Sequence, residues 1–337
     1  MEKTVNHNAV AFFLALIFSI GFTLAILYAT IELPKIINKI LINYFPDLYK
    51  ISEFWSIHSL NIYIGLLKFY GFISLAIVII LIIIGFILRM NRLVVLSSVA
   101  MQFTLFGYFA FTMFVFAGIG IIRLIWLPIV DYAPWLMGLG NITLLPLLIV
   151  SMLTNFIGDF RSRILFMRIH SLMVQGLICI GAFIFFMGTF TWLYGKFRGK
   201  RLIDFWIYGY IRHPQYLGIL IYSYAILILA PMLPYPRGGY FPIPTLPWLI
   251  ASMLILTSAL FEEIDLMSRI GDKYRDYMKR TSFIIPLPSI VKKIILLPVK
   301  TLFGKNYPER RIEVLIVILL YTLLLILLSV PFINMYP

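Results

Sequence analysis

The chain is short of charge. Only 12% of its 337 residues are charged, while 62% are hydrophobic. A soluble domain carries about a quarter charged residues, so this composition excludes a water-exposed globule and implies an integral membrane protein. Acids are scarcer still: 14 Asp and Glu against 28 Lys and Arg leave a net charge of +14. In a soluble protein that excess would suggest nucleic acid. Here the basic residues flank apolar runs, so no nucleic acid is expected, and the expected partner is the anionic lipid headgroup.

Cysteine occurs once, as Cys179 inside an apolar stretch. That excludes an intrachain disulfide and a thiolate metal cluster. The histidines are His7, His58, His170 and His213. No two share a helix face at ligand spacing, so no metal site is expected. No strand-rich region and no glycine loop between strand and helix occurs, so a Rossmann-type nucleotide fold is not expected. Gly118-Ile119-Gly120 and Gly138-Leu139-Gly140 lie in apolar segments and suit helix packing.

What is abundant is apolar sequence in long runs. A spanning helix needs about 20 such residues. Candidates fall at 9–31, 63–88, 94–122, 134–157, 171–194, 215–232, 246–262 and 312–333. The expected fold is all-α: a polytopic bundle of about eight membrane segments with a cytoplasm-facing pocket. The first run, Ala9 to Thr30, is long for a signal peptide and lacks a clear cleavage site, so it reads as a retained span. The sixth and seventh runs are joined by 231-PMLPYPRGGYFPIPTLPW-248, too rich in Pro and Gly to stay helical. They read as a hairpin that returns the chain to one membrane face.

Charge agrees with that hairpin. Residues 195–213 carry Lys196, Arg198, Lys200, Arg201 and Arg212 against Asp204. Residues 262–311 carry eleven Lys or Arg against six acids. Both segments belong on the cytoplasmic side by the positive-inside rule. The earlier basic loop expected at 159–170, with Arg161, Arg163 and Arg168, leaves two readings open: one early segment does not cross, or that loop is external. Lys68 and Arg123, near span ends, are expected to snorkel. The loop at 32–60, with Tyr44, Phe45, Tyr49, Phe54 and Trp55, suggests an interfacial segment.

Two stretches at the hairpin ends carry chemistry. The first is 208-YGYIRHPQYLGIL-220. Pro214 biases His213 away from helical geometry and suits the first helical turn, so a helix starts there with Arg212 and His213 just outside it. Free N–H groups and the positive dipole end suit an anionic group. Gly218, one turn in, permits close approach of a ligand or another helix. The second is 261-FEEIDLMSRIGDKYRDYMKRTSFIIPLP-288. Helical spacing puts Glu263, Met267, Ile270, Tyr274 and Tyr277 on one largely apolar stripe. Glu262, Arg269 and Lys273 fall on another, charged and solvated. Gly271 is a candidate break, so the stripe is firm to Ile270. A carboxylate on a buried stripe needs a partner, which singles out Glu263. If the hairpin brings both ends to one face, Arg212, His213 and Tyr216 lie near Glu263, Tyr274 and Tyr277.

The run Arg212-His213-Pro214-Gln215-Tyr216-Leu217-Gly218 resembles the RHPxYxG signature of isoprenylcysteine carboxyl methyltransferases and related phospholipid methyltransferases. In that family an apolar hairpin follows, then paired glutamates, then a segment like FGxxYxxYxxxxPxxIP. Glu262-Glu263 supplies the pair. Ile270-Gly271, Tyr274, Tyr277 and Ile285-Pro286 supply the rest, with Ile where Phe is usual. The resemblance covers roughly residues 170–288. Residues 1–169 form a membrane region without an assigned role, and residues 289–337 an interfacial basic segment and last span.

The resemblance implies S-adenosylmethionine as methyl donor, bound at the cytoplasmic face by Arg212, His213, Pro214, Tyr216, Leu217, Gly218, Glu262, Glu263, Tyr274 and Tyr277. It implies Glu263, His213 and Arg212 as catalytic residues. Arg212 and His213 are assigned to the donor's carboxylate end, Glu263 to its hydroxyl or amino groups, and the tyrosines to its adenine or sulfonium. The expected substrate is a lipid-like or prenylated amphiphile entering from the bilayer, an isoprenylcysteine carboxylate being favoured. A carboxylate acceptor needs no base. An amine must lose a proton, and His213 or Glu263 is then the candidate acceptor. One alternative is an NADPH-dependent membrane sterol or isoprenoid reductase. Pro214, Gln215, Ile219 and the glutamate pair depart from that pattern. The other alternative is a transporter or scaffold, against which stands the scarcity of charge within the spans.

Overall fold

A computed structural model of the protein describes residues 2–28, 73, 76–88, 90, 94, 133–155, 160–229 and 245–333. These residues are overwhelmingly helical, and no strand occurs among them. The helices are α1 (Glu2–Leu27), α2 (Ala76–Ile87), α3 (Leu145–Asn155), α4 (Phe160–Phe197), α5 (Pro214–Leu229), α6 (Thr245–Ile270), α7 (Asp272–Arg280), α8 (Ser289–Phe303) and α9 (Arg311–Ser329). Short 3-10 helices cover Pro134–Leu144, Trp206–Gly209 and Val330–Phe332.

Among the described residues, three stretches are long and apolar enough to cross a bilayer: Asn8–Leu27, Ile164–Phe197 and Arg311–Phe332. They mark a membrane protein. Ala76–Ile87, Gly138–Thr154 and Pro214–Leu229 are apolar but shorter. The span expected at 94–122 lies outside the described residues apart from Val94, and that at 63–88 is described from residue 73 onward with gaps. The 32–60 loop, Lys68, Arg123 and residues 230–244 of the hairpin connection also lie outside them.

Two described segments differ from their sequence reading. The stretch at 159–170 is not a loop: from Phe160 the chain is helical through to Phe197, 38 residues in one helix. At 1.5 Å per residue that is about 57 Å, well beyond a ~30 Å hydrocarbon core. No helix breaker interrupts the run from Arg161 to Leu172, so the basic residues ride on the same helix as the span. The segment 134–157 does not start as an α-helix but as 3-10 turns with Pro134 at their head.

The chain divides into two compact units. One comprises Met1–Leu27, Leu177–Tyr222 and Ile255–Tyr321; the other comprises Tyr28–Gly176, Ser223–Leu254 and Thr322–Pro337.

In the first unit, glycine decides how the helices cross. A Cβ on Gly218 of α5 would lie 2.6 Å from the Phe185 backbone nitrogen and 2.8 Å from the Gly181 carbonyl oxygen on α4. A Cβ on Gly181 would lie 2.7 Å from the Tyr222 nitrogen. The two backbones touch, as small residues allow where apolar lipid removes other driving forces. On α1, Ala11, Ala15 and Ser19 repeat at spacing four and are all buried. Phe12 of the same helix meets Phe190 of α4 edge to face at 5.2 Å.

The second unit is tied by neutral polar groups. Asn141 donates to the Phe332 carbonyl at 2.9 Å, and Thr245 donates to the Asn141 amide oxygen at 2.8 Å. The Ile142 N–H reaches the Ser329 hydroxyl at 3.2 Å, and the Tyr224 hydroxyl reaches the Thr143 carbonyl at 2.8 Å. A Cβ on Gly140 would lie 2.3 Å from the Thr245 carbonyl carbon, so only glycine fits. His170 is buried, with Nε2 at 2.8 Å from the Ile228 carbonyl oxygen.

Candidate functional site

The site lies wholly within the first unit, where the start of α5 meets the end of α6. Pro214 opens α5, and its missing N–H is one that a first turn leaves unpaired anyway. The two preceding residues are therefore in a loop. That loop is stitched to the chain following α7: the Arg212 N–H donates to the Ser282 carbonyl at 2.9 Å, and the Ser282 N–H to the Tyr210 carbonyl at 3.1 Å. These bonds form an isolated parallel bridge between Ile211 and Ser282.

Glu263 is fully buried, and Arg212 and His213 are each 7% exposed. An ionised carboxylate at such depth costs several kcal/mol unless its oxygens are satisfied. They are. Oε1 accepts from Arg212 Nε at 2.5 Å and lies 3.2 Å from His213 Nε2. Oε2 accepts from Arg212 Nη2 at 3.4 Å and from the Tyr307 hydroxyl. Arg212 spends its remaining reach on the carbonyls of Met278 and Thr281, each at 2.8 Å. One guanidinium thus joins the loop before α5, the end of α6 and the end of α7.

Gly271, with φ +68, ends α6 and starts α7, a conformation that favours glycine. The break does not move the stripe: Tyr274 and Tyr277 of α7 are both buried. The Tyr277 hydroxyl donates to the Tyr208 carbonyl at 2.7 Å, and Thr281 donates to the Tyr277 carbonyl at 2.7 Å. Burial, then the Glu263 carboxylate, push the Tyr274 phenol well above the usual range, with Arg212 opposing. Burial does the same to Tyr277, opposed first by Arg212, and to Tyr208, reinforced by Tyr277 and Glu262. All three remain neutral donors at ordinary pH.

Glu262 behaves differently from its neighbour. Its side chain is 38% exposed. It is not simply solvated, as its stripe suggested: Oε1 accepts from the Tyr216 hydroxyl at 2.6 Å, and Oε2 lies 4.0 Å from His213 Nδ1, beyond hydrogen-bond length. His213 stacks on the Tyr216 ring (5.6 Å, 18°) and meets Phe283 edge to face at 5.2 Å. The result is a partly exposed carboxylate held by the Tyr216 hydroxyl beside His213, backed by a buried ion pair.

Of the ten residues singled out in the sequence, Arg212, His213, Tyr216, Glu262 and Glu263 make one connected cluster, with Tyr274 and Tyr277 buried beside it. Pro214 is the helix start, and Leu217 is a core residue 6% exposed. Gly218 serves the crossing with α4. The sequence reading missed Phe283, Thr281 and Tyr307. Phe283 and Thr281 sit inside a quoted motif and were within reach. Tyr307 lies 44 residues from Glu263 with no local pattern to announce it.

No family model matches the chain, and neither a curated protein nor a solved structure matches it.

Proposed function

We propose that the protein is an integral membrane methyltransferase that uses S-adenosylmethionine and acts on a lipid-like or prenylated amphiphile. The observation carrying this reading is the half-exposed Glu262 carboxylate, bonded to Tyr216 and backed by the buried Arg212–Glu263 pair at the mouth of an apolar helix. The residues present suit the donor. A sulfonium is a cation, and a carboxylate beside the Tyr216 and His213 rings stabilises one; a ring face alone contributes about 0.5–2 kcal/mol. When bound, S-adenosylmethionine supplies an electrophilic methyl group for in-line displacement.

This chain's own residues bind, orient and exclude water. Tyr216 fixes the Glu262 carboxylate by donating to it. Arg212 and Glu263 hold the loops on either side in register and face each other more than any ligand, which makes them positioning residues. His213 lies between the two carboxylates, with one ring nitrogen toward each. An acceptor of the isoprenylcysteine carboxylate type needs no base here, only alignment and desolvation.

A small apolar crevice at the α4–α5 crossing is lined by Ile26 and Leu27 of α1, Gly181 and Phe185 of α4, and Ile219 and Tyr222 of α5. By its apolar runs the full chain carries about eight membrane segments. The basic segments 195–213 and 262–311 face the cytoplasm and put the donor site there.

The test is transfer. Purified protein in detergent, given donor labelled in its methyl group and a farnesylated cysteine analogue or a total lipid extract, should move label into the organic phase. Label that stays with the donor across both acceptor sets, together with consumption of NADPH, would replace this reading with the reductase.

A further inference from the structure

The segment between α8 and α9 lies outside the methyltransferase-like stretch, yet it reaches the centre of the site. We propose that Tyr307 is a positioning residue of that site, delivered by a strap that is clasped to the helix carrying the glutamates. The proposal rests on the functional reading above for what is positioned, and on geometry of its own for how.

The strap is fixed at both ends. Gly304 closes α8 in the left-handed conformation (φ +65), and its N–H returns to the Lys300 carbonyl at 3.0 Å. Lys305 then pairs with Glu309 at 3.0 Å and with Glu313 at 3.1 Å. Glu313 also accepts the backbone N–H of Glu309 at 2.8 Å and of Arg310 at 3.3 Å, which ties the strap to the first turn of α9. Arg311 Nη2 donates to both carboxylate oxygens of Asp265 of α6, at 3.0 and 3.1 Å, with the guanidinium 4.8 Å from the Phe261 ring centre. Phe261 and Asp265 bracket Glu262 and Glu263 on α6. The clasp therefore grips the very turn that bears the site.

Tyr307 hangs between these fixed points. Its hydroxyl donates to Glu263 Oε2, and the Arg212 guanidinium lies 5.8 Å from its ring centre. Pro308, the next residue, is buried. The phenol supplies the last bond that a fully buried carboxylate needs. Without it, Glu263 Oε2 keeps only the 3.4 Å contact from Arg212, and the carboxylate is free to rotate away from His213. Tyr307 thus acts through Glu263 on Arg212 and His213, not on the ligand.

The experiment uses the full-length protein in detergent and two readouts. The first is S-adenosylhomocysteine affinity by calorimetry. Tyr307→Phe should bind at least tenfold more weakly than wild type while still melting cooperatively above the assay temperature, and Arg311→Lys should shift affinity in the same direction. Tyr210→Phe, at a side chain 76% exposed, should change nothing. The second readout is the ring-nitrogen NMR signals of His213 in histidine-labelled protein, assigned by their loss in His213→Asn. They should move in Tyr307→Phe, while those of His170, in the other unit, stay put. If wild type binds no donor product, the methyltransferase reading fails and the His213 signals alone decide the role of Tyr307. Unmoved His213 signals would overturn the proposal, as would unchanged affinity in a protein whose wild type does bind.

Discussion

Among the described residues, two buried polar knots sit in otherwise apolar helices, and they are built from different materials. Asn141, Thr245, Ile142 and Ser329 form one from neutral amides and hydroxyls, each bonded to another. Arg212, Glu263, His213 and Tyr307 form the other from ionised groups and rings, and it opens on one side to the half-exposed Glu262. The neutral knot fastens a 3-10 stretch to two other elements. Ion pairs are a poor way to fasten helices, because desolvation cancels most of the Coulomb gain. The charged knot with its accessible carboxylate edge is what the proposed donor site rests on.

The largest break in this comparison should come from Arg212→Ala. It strips a fully buried carboxylate of its cation and frees two carbonyls, and removing one partner of such a pair costs about 3–5 kcal/mol. Detergent melting should show the loss, and the same protein should bind no donor. In the neutral knot, Asn141→Ala should cost about 1–3 kcal/mol by the same assay through unpaired Phe332 and Thr245 groups, with donor affinity unchanged. Equal effects on donor binding from the two variants would erase the distinction between the knots.

Smaller effects sharpen the contrast within the charged knot. Tyr277→Phe removes one hydrogen bond to the Tyr208 carbonyl and should lower stability by about 1 kcal/mol. The smallest effect is expected from mild alkali. Tyr208, Tyr274 and Tyr277 hold their protons in the folded state beyond the ordinary phenol range, whose unfolded value is about 10. Their contribution is fully present below that unfolded value and is lost as pH rises above it, because the unfolded chain releases protons first. A melting temperature that is level from pH 8 to 9.5 and falls beyond pH 10 is the expected profile.

Much of this was legible in the sequence, because it depends on local pattern. Pro214 announces the start of α5, and spacing alone places Glu263 on the same stripe as Met267 and Ile270, so its burial follows from periodicity. Gly218 could be read as a close-approach residue, but the sequence could not say that the thing approaching is the backbone of α4. The helical run from Phe160 is hidden because a basic cluster resembles a loop signal, whereas long basic side chains ride on helix ends without ending them. Glu262 was assigned to solvent by phase, which is half right: the helix leaves it exposed, and Tyr216 from another helix then claims one oxygen. Tyr307 could not be foreseen, since its contact depends on where α9 is clasped through Arg311 and Asp265. That is tertiary information with no signal in the window around residue 307.

The central claim is that the accessible carboxylate binds a methyl donor while the buried one holds the site together. Calorimetric titration of S-adenosylhomocysteine into detergent-solubilised wild type, Glu262→Gln and Glu263→Gln, each with its melting temperature, tests it most directly. Wild type should bind with micromolar affinity, about −8 kcal/mol. Glu262→Gln should weaken binding about tenfold at an unchanged melting temperature. Glu263→Gln should weaken it by roughly tenfold to a hundredfold, equivalent to about 1.5–3 kcal/mol, and lower the melting temperature as well. No heat from wild type, or a Glu262→Gln variant that binds as tightly as wild type, would contradict the account.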